Sequence, residues 1–439
     1  MFQVLSNRTY RHLFLAQVIA LLGTGLATVA LGLLAYDLAG ADAGMVLGTA
    51  LAIKMLAYIG VAPIASAFAE RLPRRGVLVS LDVIRAGVAL LLPFVDQIWQ
   101  IYVLIFVLQS ASAAFTPTFQ ATIPDVLPDE KDYTKALSLS RLAYDMESLV
   151  SPALAAALLS VMTYHSLFNG TVLGFLASAA LVVSAVLPRA KLPPRRSIYE
   201  RTTRGARIYL HTPRLRGLLA LNMAIAAGSA MVIVNTVVLV QAGLGLGQTF
   251  TALALAAFGA GSMIVAFALP TLLDRLPERR VMLTGAALIA AALLAGGVVP
   301  TSFELLVGLW FIMGMGYSLA QTPSGRLLRK SSGPEDRPAL FAAQFALSHA
   351  CWLLTYPLAG WLGAKAGMAT SFLTLGAVAV AAIVLASRLW HREDTTELAH
   401  QHPNLPAGHA HLVQGQNHGD PKAHSHEFFI DDQHPRWPS

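Results

Sequence analysis

The feature that most limits what this chain can become is a series of long apolar runs spaced along almost its whole length. Twelve are discernible, at approximately 13–36, 44–68, 76–95, 99–121, 136–162, 167–187, 217–240, 250–272, 281–299, 303–325, 338–364 and 368–389. A bilayer core of about 30 Å is crossed by about 20 apolar residues in a helix. Open strands leave backbone groups unpaired in lipid, and the runs are too long for barrel strands. The expected fold is therefore an all-α membrane protein of twelve transmembrane helices. Composition agrees: 55% of the 439 residues are hydrophobic and only 13% charged, where a soluble domain carries about 25% charged residues. Polar residues such as Asn7, Arg8 and Arg11 precede the first run, which is long enough to stay in the membrane rather than be cleaved as a signal peptide. The single cysteine, Cys351, excludes an intramolecular disulfide.

Charge sets the expected orientation. Of 28 Lys and Arg residues before position 391, 23 fall in segments that are cytoplasmic if both termini are. Only Lys365 falls in an outer loop. This positive-inside bias predicts a bacterial-type inner membrane protein with both termini in the cytoplasm. Residues 188–216 hold nine of these cations against one acid, Glu200. Such a run is read as a linker lying beside anionic lipid rather than as a nucleic-acid surface. No phosphate-binding loop is present, so neither ATP use nor an enzyme is expected.

The chain is internally duplicated. Residues 66–75 (SAFAERLPRR) match 270–279 (PTLLDRLPER) at an offset of 204. Pro117 and Pro323 match at 206, as do Pro128 and Pro334, and Pro152 and Pro357 match at 205. An offset spanning an even number of helices gives two halves of equal orientation, the parallel repeat of transporters that rock about a midplane site. The expected units are a six-helix bundle at 1–187, the basic linker at 188–216, a second bundle at 217–390 and a flexible His-rich tail at 391–439. A monomer is expected.

These repeated loops resemble the signature of the major facilitator superfamily, Gly-x-x-x-Asp-Arg-x-Gly-Arg-Arg, over about residues 1–390. Ser66, Glu70 and Pro73 replace its first Gly, Asp and second Gly; Arg71, Arg74 and Arg75 are kept. The second copy keeps Asp274, Arg275 and Arg279. The segment Leu81-Asp82-Val83-Ile84-Arg85-Ala86, with Phe115-Thr116-Pro117 and Ile123-Pro124-Asp125, is similar to the siderophore-exporter branch. Ser151-Pro152 with Ala155 and Ala156 stands where the family's antiporters carry a Gly-Pro-x-x-Gly-Gly motif. The resemblance implies a secondary transporter working by alternating access, with membrane lipid, protons and a small substrate as its partners. An acid and several guanidiniums at the loop are suited to bridge carboxylates and helix C-terminal carbonyls. Glu70, Arg71, Arg74, Arg75, Asp274, Arg275 and Arg279 are therefore gating candidates, with plain topogenic charge as the alternative. Asp82 and Arg85, three apart near the end of the third run, join them or form a structural pair.

Ionisable groups inside a membrane are costly and usually functional. Lys54, Asp145, Glu147 and His349 all lie on the order of 15–24 Å along their helices from the cytoplasmic end. Arg141 is placed to pair with Asp145, four residues on, which leaves Glu147 for the cavity. At offset 205 His349 aligns with Tyr144, one turn before Glu147. Glu147 and His349 are thus expected to face one cavity from the two halves, where a carboxylate and an imidazole can bind a divalent cation or carry protons. Asn222 and Asn235 are further substrate-site candidates, and Cys351, Gln109 and Gln344 are near. An interhelical hydrogen bond is the alternative for His349, and an ion pair for Lys54.

Nine of the 13 histidines lie beyond residue 390, with seven acids against three bases, net −4. His400 and His402, His409 and His411, and His424 and His426 form His-x-His pairs, with His418 between them. Imidazole suits nickel, cobalt, copper and zinc, so these residues are expected to bind Ni²⁺, Co²⁺ or Zn²⁺, with no resident cofactor elsewhere. Nickel-resistance exporters of the superfamily are similar in their His-rich C-terminal tails. That resemblance implies proton-coupled export of nickel or cobalt. The alternatives are export of an organic amphiphile or siderophore, with the tail as a sensor, or a metal receptor that transports nothing.

Overall fold

Apolar runs this long satisfy their own backbone only as helices, and the computed structural model of the protein contains fourteen α-helices among its described residues. It describes residues 2–69, 73–187, 198–298, 302–333 and 336–391, with 397–401, 416–417, 423–430, 434 and 437 of the tail. The first half comprises α1 (Arg8–Ala39), α2 (Ala43–Ala69), α3 (Arg74–Leu91), α4 (Ile98–Val126), α5 (Glu130–Leu159) and α6 (Tyr164–Ser184). A short helix, α7 (Ile198–His211), precedes the second half. That half comprises α8 (Pro213–Val237), α9 (Gln248–Arg275), α10 (Glu278–Gly296), α11 (Phe303–Gln321), α12 (Ser324–Arg329), α13 (Arg337–Lys365) and α14 (Met368–Leu389). Ten stretches among the described residues are long and apolar enough to cross a bilayer, and one of these, Arg8–Val61, holds both α1 and most of α2. In α5 the stretch Val150–Leu159 is apolar among the described residues, and the mid-membrane charges precede it. The all-α reading stands, and the twelve runs correspond to α1–α6, α8–α10, α11 with α12, α13 and α14. The tenth run breaks at Pro323, which caps α12, since proline cannot continue the hydrogen-bonded ladder.

The two halves repeat each other's packing. In the first, α1 lies against α5 and α6, α2 against α4, and α3 against α4 and α6. In the second, α8 lies against α13 and α14, α9 against α11, and α10 against α11 and α14. The halves join through α2 with α13 and through α5 with α9, two interfaces that the duplication makes equivalent. The loops divide into two faces: a linker face, which carries α7 and the tail, and a far face. Joining contacts run toward the far face. Lys365 stands 3.9 Å from Asp42, and Thr249 donates to the Leu159 carbonyl at 3.5 Å. Gly360 lies directly on the Gly44 backbone, and Gly48 lies on the Tyr356 carbonyl beside Pro357. Any side chain at Gly48 or Gly360 would collide there, the close approach that small residues allow between membrane helices.

Large apolar side chains such as Leu56, Phe94, Trp99, Phe106 and Phe267 point outward, as a surface solvated by lipid requires. At the linker face α7 is held to α13. Arg204 bonds Asp336 at 2.5 and 3.1 Å, and Tyr209 donates to Gln344. Burial pushes the Tyr209 phenol up in pKa. In the tail, three short strands, β1 (Glu397–Gln401), β2 (Gln416–Asn417) and β3 (Ala423–Glu427), pair antiparallel in the order β1-β3-β2. Beyond them Phe428 and Ile430 are buried in the main apolar core, and Trp437 packs against it. The Trp437 ring lies 5.5 Å from the Arg214 guanidinium at the start of α8.

Candidate functional site

The mid-depth residues converge on the α2–α13 seam. Lys54 and Tyr58 are four apart and share one face of α2. The Lys54 ammonium stands 5.8 Å from the Tyr58 ring. Tyr58 stacks on His349 of α13, centroids 5.4 Å apart and planes within 5°. Phe345 touches both rings, 4.0 Å from His349 and 5.8 Å from Tyr58, and Trp352 lies 6.1 Å from His349. The His349 Nδ1 is 2.6 Å from the Phe345 carbonyl oxygen. A carbonyl only accepts, so Nδ1 carries the hydrogen and Nε2 is left to accept.

Glu147 enters from α5, its side chain against Gly25 of α1. It attracts Lys54 electrostatically, and Lys54 in turn acts on His349. Tyr144, one turn before Glu147, lies beside Gln17 and Thr116. Lys54 thus interacts electrostatically with both Glu147 and His349. The structure adds Tyr58, Phe345 and Trp352, which the sequence reading missed. The signal for Tyr58 was its i+4 spacing from Lys54. The group comprises one acid, one cation and one imidazole, the imidazole set among aromatic rings.

Other candidates sit elsewhere. Asp82 and Arg85 pair with each other inside the first half. Ser178 donates to Asp82 at 2.7 Å, and the guanidinium is sandwiched between Phe115 and Phe175 at 4.1 and 4.5 Å. Asn222 approaches Tyr209 beside Gln344, nearer the linker face. Asn235 binds the Ala359 carbonyl at 3.1 Å and Ser371 at 3.4 Å, tying α8 to α13 and α14. The Asp145 side chain lies outside the described residues, as do Glu70 and Arg71.

The charged loops act within each half. Arg74 pairs with Asp125 at the end of α4, and Arg75 donates to the Val183 carbonyl at the end of α6. In the second half Glu278 pairs with Arg326 and Lys330 at 2.7 and 2.6 Å. Arg279 donates to the Trp390 and Ser387 carbonyls at 2.7 and 3.1 Å. The repeat is geometrically faithful even where its charges are exchanged, and these six contacts do not cross between halves. Asp274 and Arg275 end α9 on the same loop.

The sequence profile of the Major Facilitator Superfamily matches residues 13–235 and 218–415. The chain belongs to the Major Facilitator Superfamily. The YfiS protein of Bacillus subtilis (strain 168), an MFS-type transporter, is 23% identical over 339 residues, covering 74% of this chain and 80% of that one. Macrolide efflux protein A of Streptococcus pyogenes is 27% identical over 150 residues, covering 33% of this chain and 37% of that one. A bacterial homolog of the human lysosomal transporter Spinster, in an inward-facing and unoccupied conformation, superposes with a TM-score of 0.70. Its identity is 14%, over 89% of this chain and 98% of that one. Nucleoside transporter NupG gives 0.63 at 14% identity, over 87% of this chain and 98% of that one. The chain is therefore a multi-pass membrane transporter of this superfamily.

In the tail His402, His409, His411 and His418 lie outside the described residues, whereas His400, His424 and His426 fall on β1 and β3. Among the described residues no group of three or more His, Cys, Asp or Glu is assembled to hold a metal.

Proposed function

We propose that this transporter exports a small organic amphiphile by alternating access, with Glu147 exchanging a proton against the substrate. The observation that supports this reading is a Lys54 ammonium 5.8 Å from the Tyr58 ring that acts electrostatically on both Glu147 and His349. A cation beside these groups raises the cost of bringing the double charge of Ni²⁺ or Co²⁺ to them more than that of a neutral or singly charged organic molecule. The aromatic wall of Tyr58, Phe345 and Trp352 suits an apolar or cationic organic molecule. The similarity to a macrolide efflux protein points the same way. The linker face is read as cytoplasmic from its cations, which makes the state described here one closed to the outside.

A second reading, export or sensing of a divalent metal as in the nickel-resistance exporters, is favoured by one feature. In the β1–β3 register His400 is the direct partner of His424, which places imidazole-bearing positions on adjacent strands. Under this reading the tail histidines collect Ni²⁺, Co²⁺ or Zn²⁺, while Glu147 and His349 pass the ion. Proteoliposomes loaded with a pH-sensitive dye separate the two readings. The expected result is proton movement on addition of a macrolide or tetraphenylphosphonium, abolished in Glu147→Gln. Proton movement with Ni²⁺ or Co²⁺ and none with the organic probes would overturn it.

A further inference from the structure

A small cavity lies within the first half, lined in part by Thr24, Thr28, Lys54, Gln109 and Ser112. Its free space is about 20 Å³, room for one or two waters and far too little for an organic substrate. Its polar lining is rich in hydrogen-bond acceptors, beside the Gln109 amide NH₂ and the Lys54 ammonium. Thr24 donates its hydroxyl hydrogen to the Ala20 carbonyl at 2.9 Å, Thr28 to Thr24 at 3.0 Å and Ser112 to Leu108 at 3.0 Å. Each oxygen therefore keeps only lone pairs to offer. Gln109 is 7% exposed, and its Oε1 has no hydrogen-bond partner. Four acceptors line a space that has a single cationic donor on its wall, the Lys54 ammonium.

That ammonium stands 5.8 Å from the Tyr58 ring and is attracted by Glu147. A buried cation needs compensation, and two sources lie on either side of it. A free metal ion is poorly suited to the cavity, which has no carboxylate on its lining and an ammonium on its wall.

We propose that the oxygen-lined cavity between α1, α2 and α4 is a second resting place for the Lys54 ammonium, taken up when Glu147 is neutralised. The exchange rests on the reading of Glu147 as the proton-carrying group. With Glu147 ionised, Lys54 leans toward it. With Glu147 protonated or paired to a cationic substrate, Lys54 turns into the cavity and donates to Gln109 Oε1. The cation thereby leaves the binding site as the substrate arrives, without leaving the membrane interior.

An experimental structure of the full-length Glu147→Gln protein tests this directly. The expected result places Lys54 Nζ at about 2.7–3.2 Å from Gln109 Oε1. An Nζ still turned to the α2–α13 seam, with or without water in the cavity, would overturn the assignment. Proteoliposome transport of tetraphenylphosphonium gives the second measurement. Gln109→Leu should slow turnover about tenfold or more, the worth of one hydrogen bond to a charged group, with equilibrium binding of the probe retained. Ser112→Ala, a smaller change, should slow it less. Unchanged turnover in both variants would also overturn the proposal. If Nζ moves as expected while Glu147→Gln still couples proton flux to transport, the role given to Glu147 fails and the cavity assignment survives.

Discussion

The buried pair of Asp82 and Arg85 offers a perturbation whose outcome the protein itself suggests. The Asp82 carboxyl is fully buried and the Arg85 side chain 5% exposed. Ser178 and two phenylalanines complete the surroundings. Asp82→Ala leaves a guanidinium in an apolar interior with only aromatic faces for company. Removing one partner of a buried pair costs about 3–5 kcal/mol. At the offset of 204 the second half carries Ala286 and Ile289 at these two positions, both buried and packed in the main apolar core. The double variant Asp82→Ala, Arg85→Ile therefore copies a solution that the same scaffold already uses. It removes both charges together, and such replacements are neutral or stabilising by about 1–4 kcal/mol when packing is kept. Equilibrium unfolding of the three variants in mixed micelles, analysed as a double-mutant cycle, should give a coupling of at least about 3 kcal/mol. Transport should survive in the double variant. Additive losses would refute the account of the pair. A stable double variant that no longer transports would return Asp82 and Arg85 to the gating role first assigned to them.

Three further outcomes are expected. Arg74→Glu should destabilise the first half by about 1 kcal/mol, since the pair with Asp125 is partly exposed. Adding Asp125→Lys, which reproduces the polarity of Glu278 with Lys330, should recover the loss in the same unfolding assay. Gly360→Val should abolish transport while leaving insertion intact, because its side chain meets the Gly44 backbone where the halves close; normal uptake into vesicles would contradict this. Truncation after residue 427 should lower the thermal midpoint in detergent, because it uncovers the sites filled by Phe428 and Ile430, each worth about 1.5–3 kcal/mol in buried apolar surface.

Much of this architecture was readable because the bilayer makes it so. A helix must supply about 20 apolar residues to cross, so the crossings show as runs, and α5 was found despite its weaker apolar character. The duplication was readable because its loops kept the same residues. Direct partners were harder. That Arg75 and Arg279 bind carbonyls of their own half follows from where α6 and α14 end, which no local pattern states. Asn235, a substrate-ligand candidate in the sequence, turns its amide nitrogen to Ala359 and Ser371, while its buried Oδ1 has no hydrogen-bond partner among the described residues. Tyr58 was overlooked because an aromatic residue in an apolar run is ordinarily core. The docking of Phe428, Ile430 and Trp437 was hidden by the polar tract before them, although the apolar cluster at 428–430 was the available signal.

The duplication also shows where the chemistry was added. The halves share helix packing and loop stapling, but not their mid-membrane charges. Lys54, Asp82, Arg85 and Glu147 all lie in the first half; their counterparts at offsets of 204 and 205 are Phe258, Ala286, Ile289 and Trp352. A charge within the bilayer is expensive and must be surrounded by partners. Each such group therefore restricts the packing around it, and a half that carries four cannot repack freely. Concentrating them in one half leaves the other to supply surfaces: His349, Phe345 and Trp352 close the site from the second half with rings and one titratable nitrogen. On the function proposed above, a single half would hold both the proton-carrying acid and the lysine that answers it, and their exchange would need no contact that breaks when the halves rock.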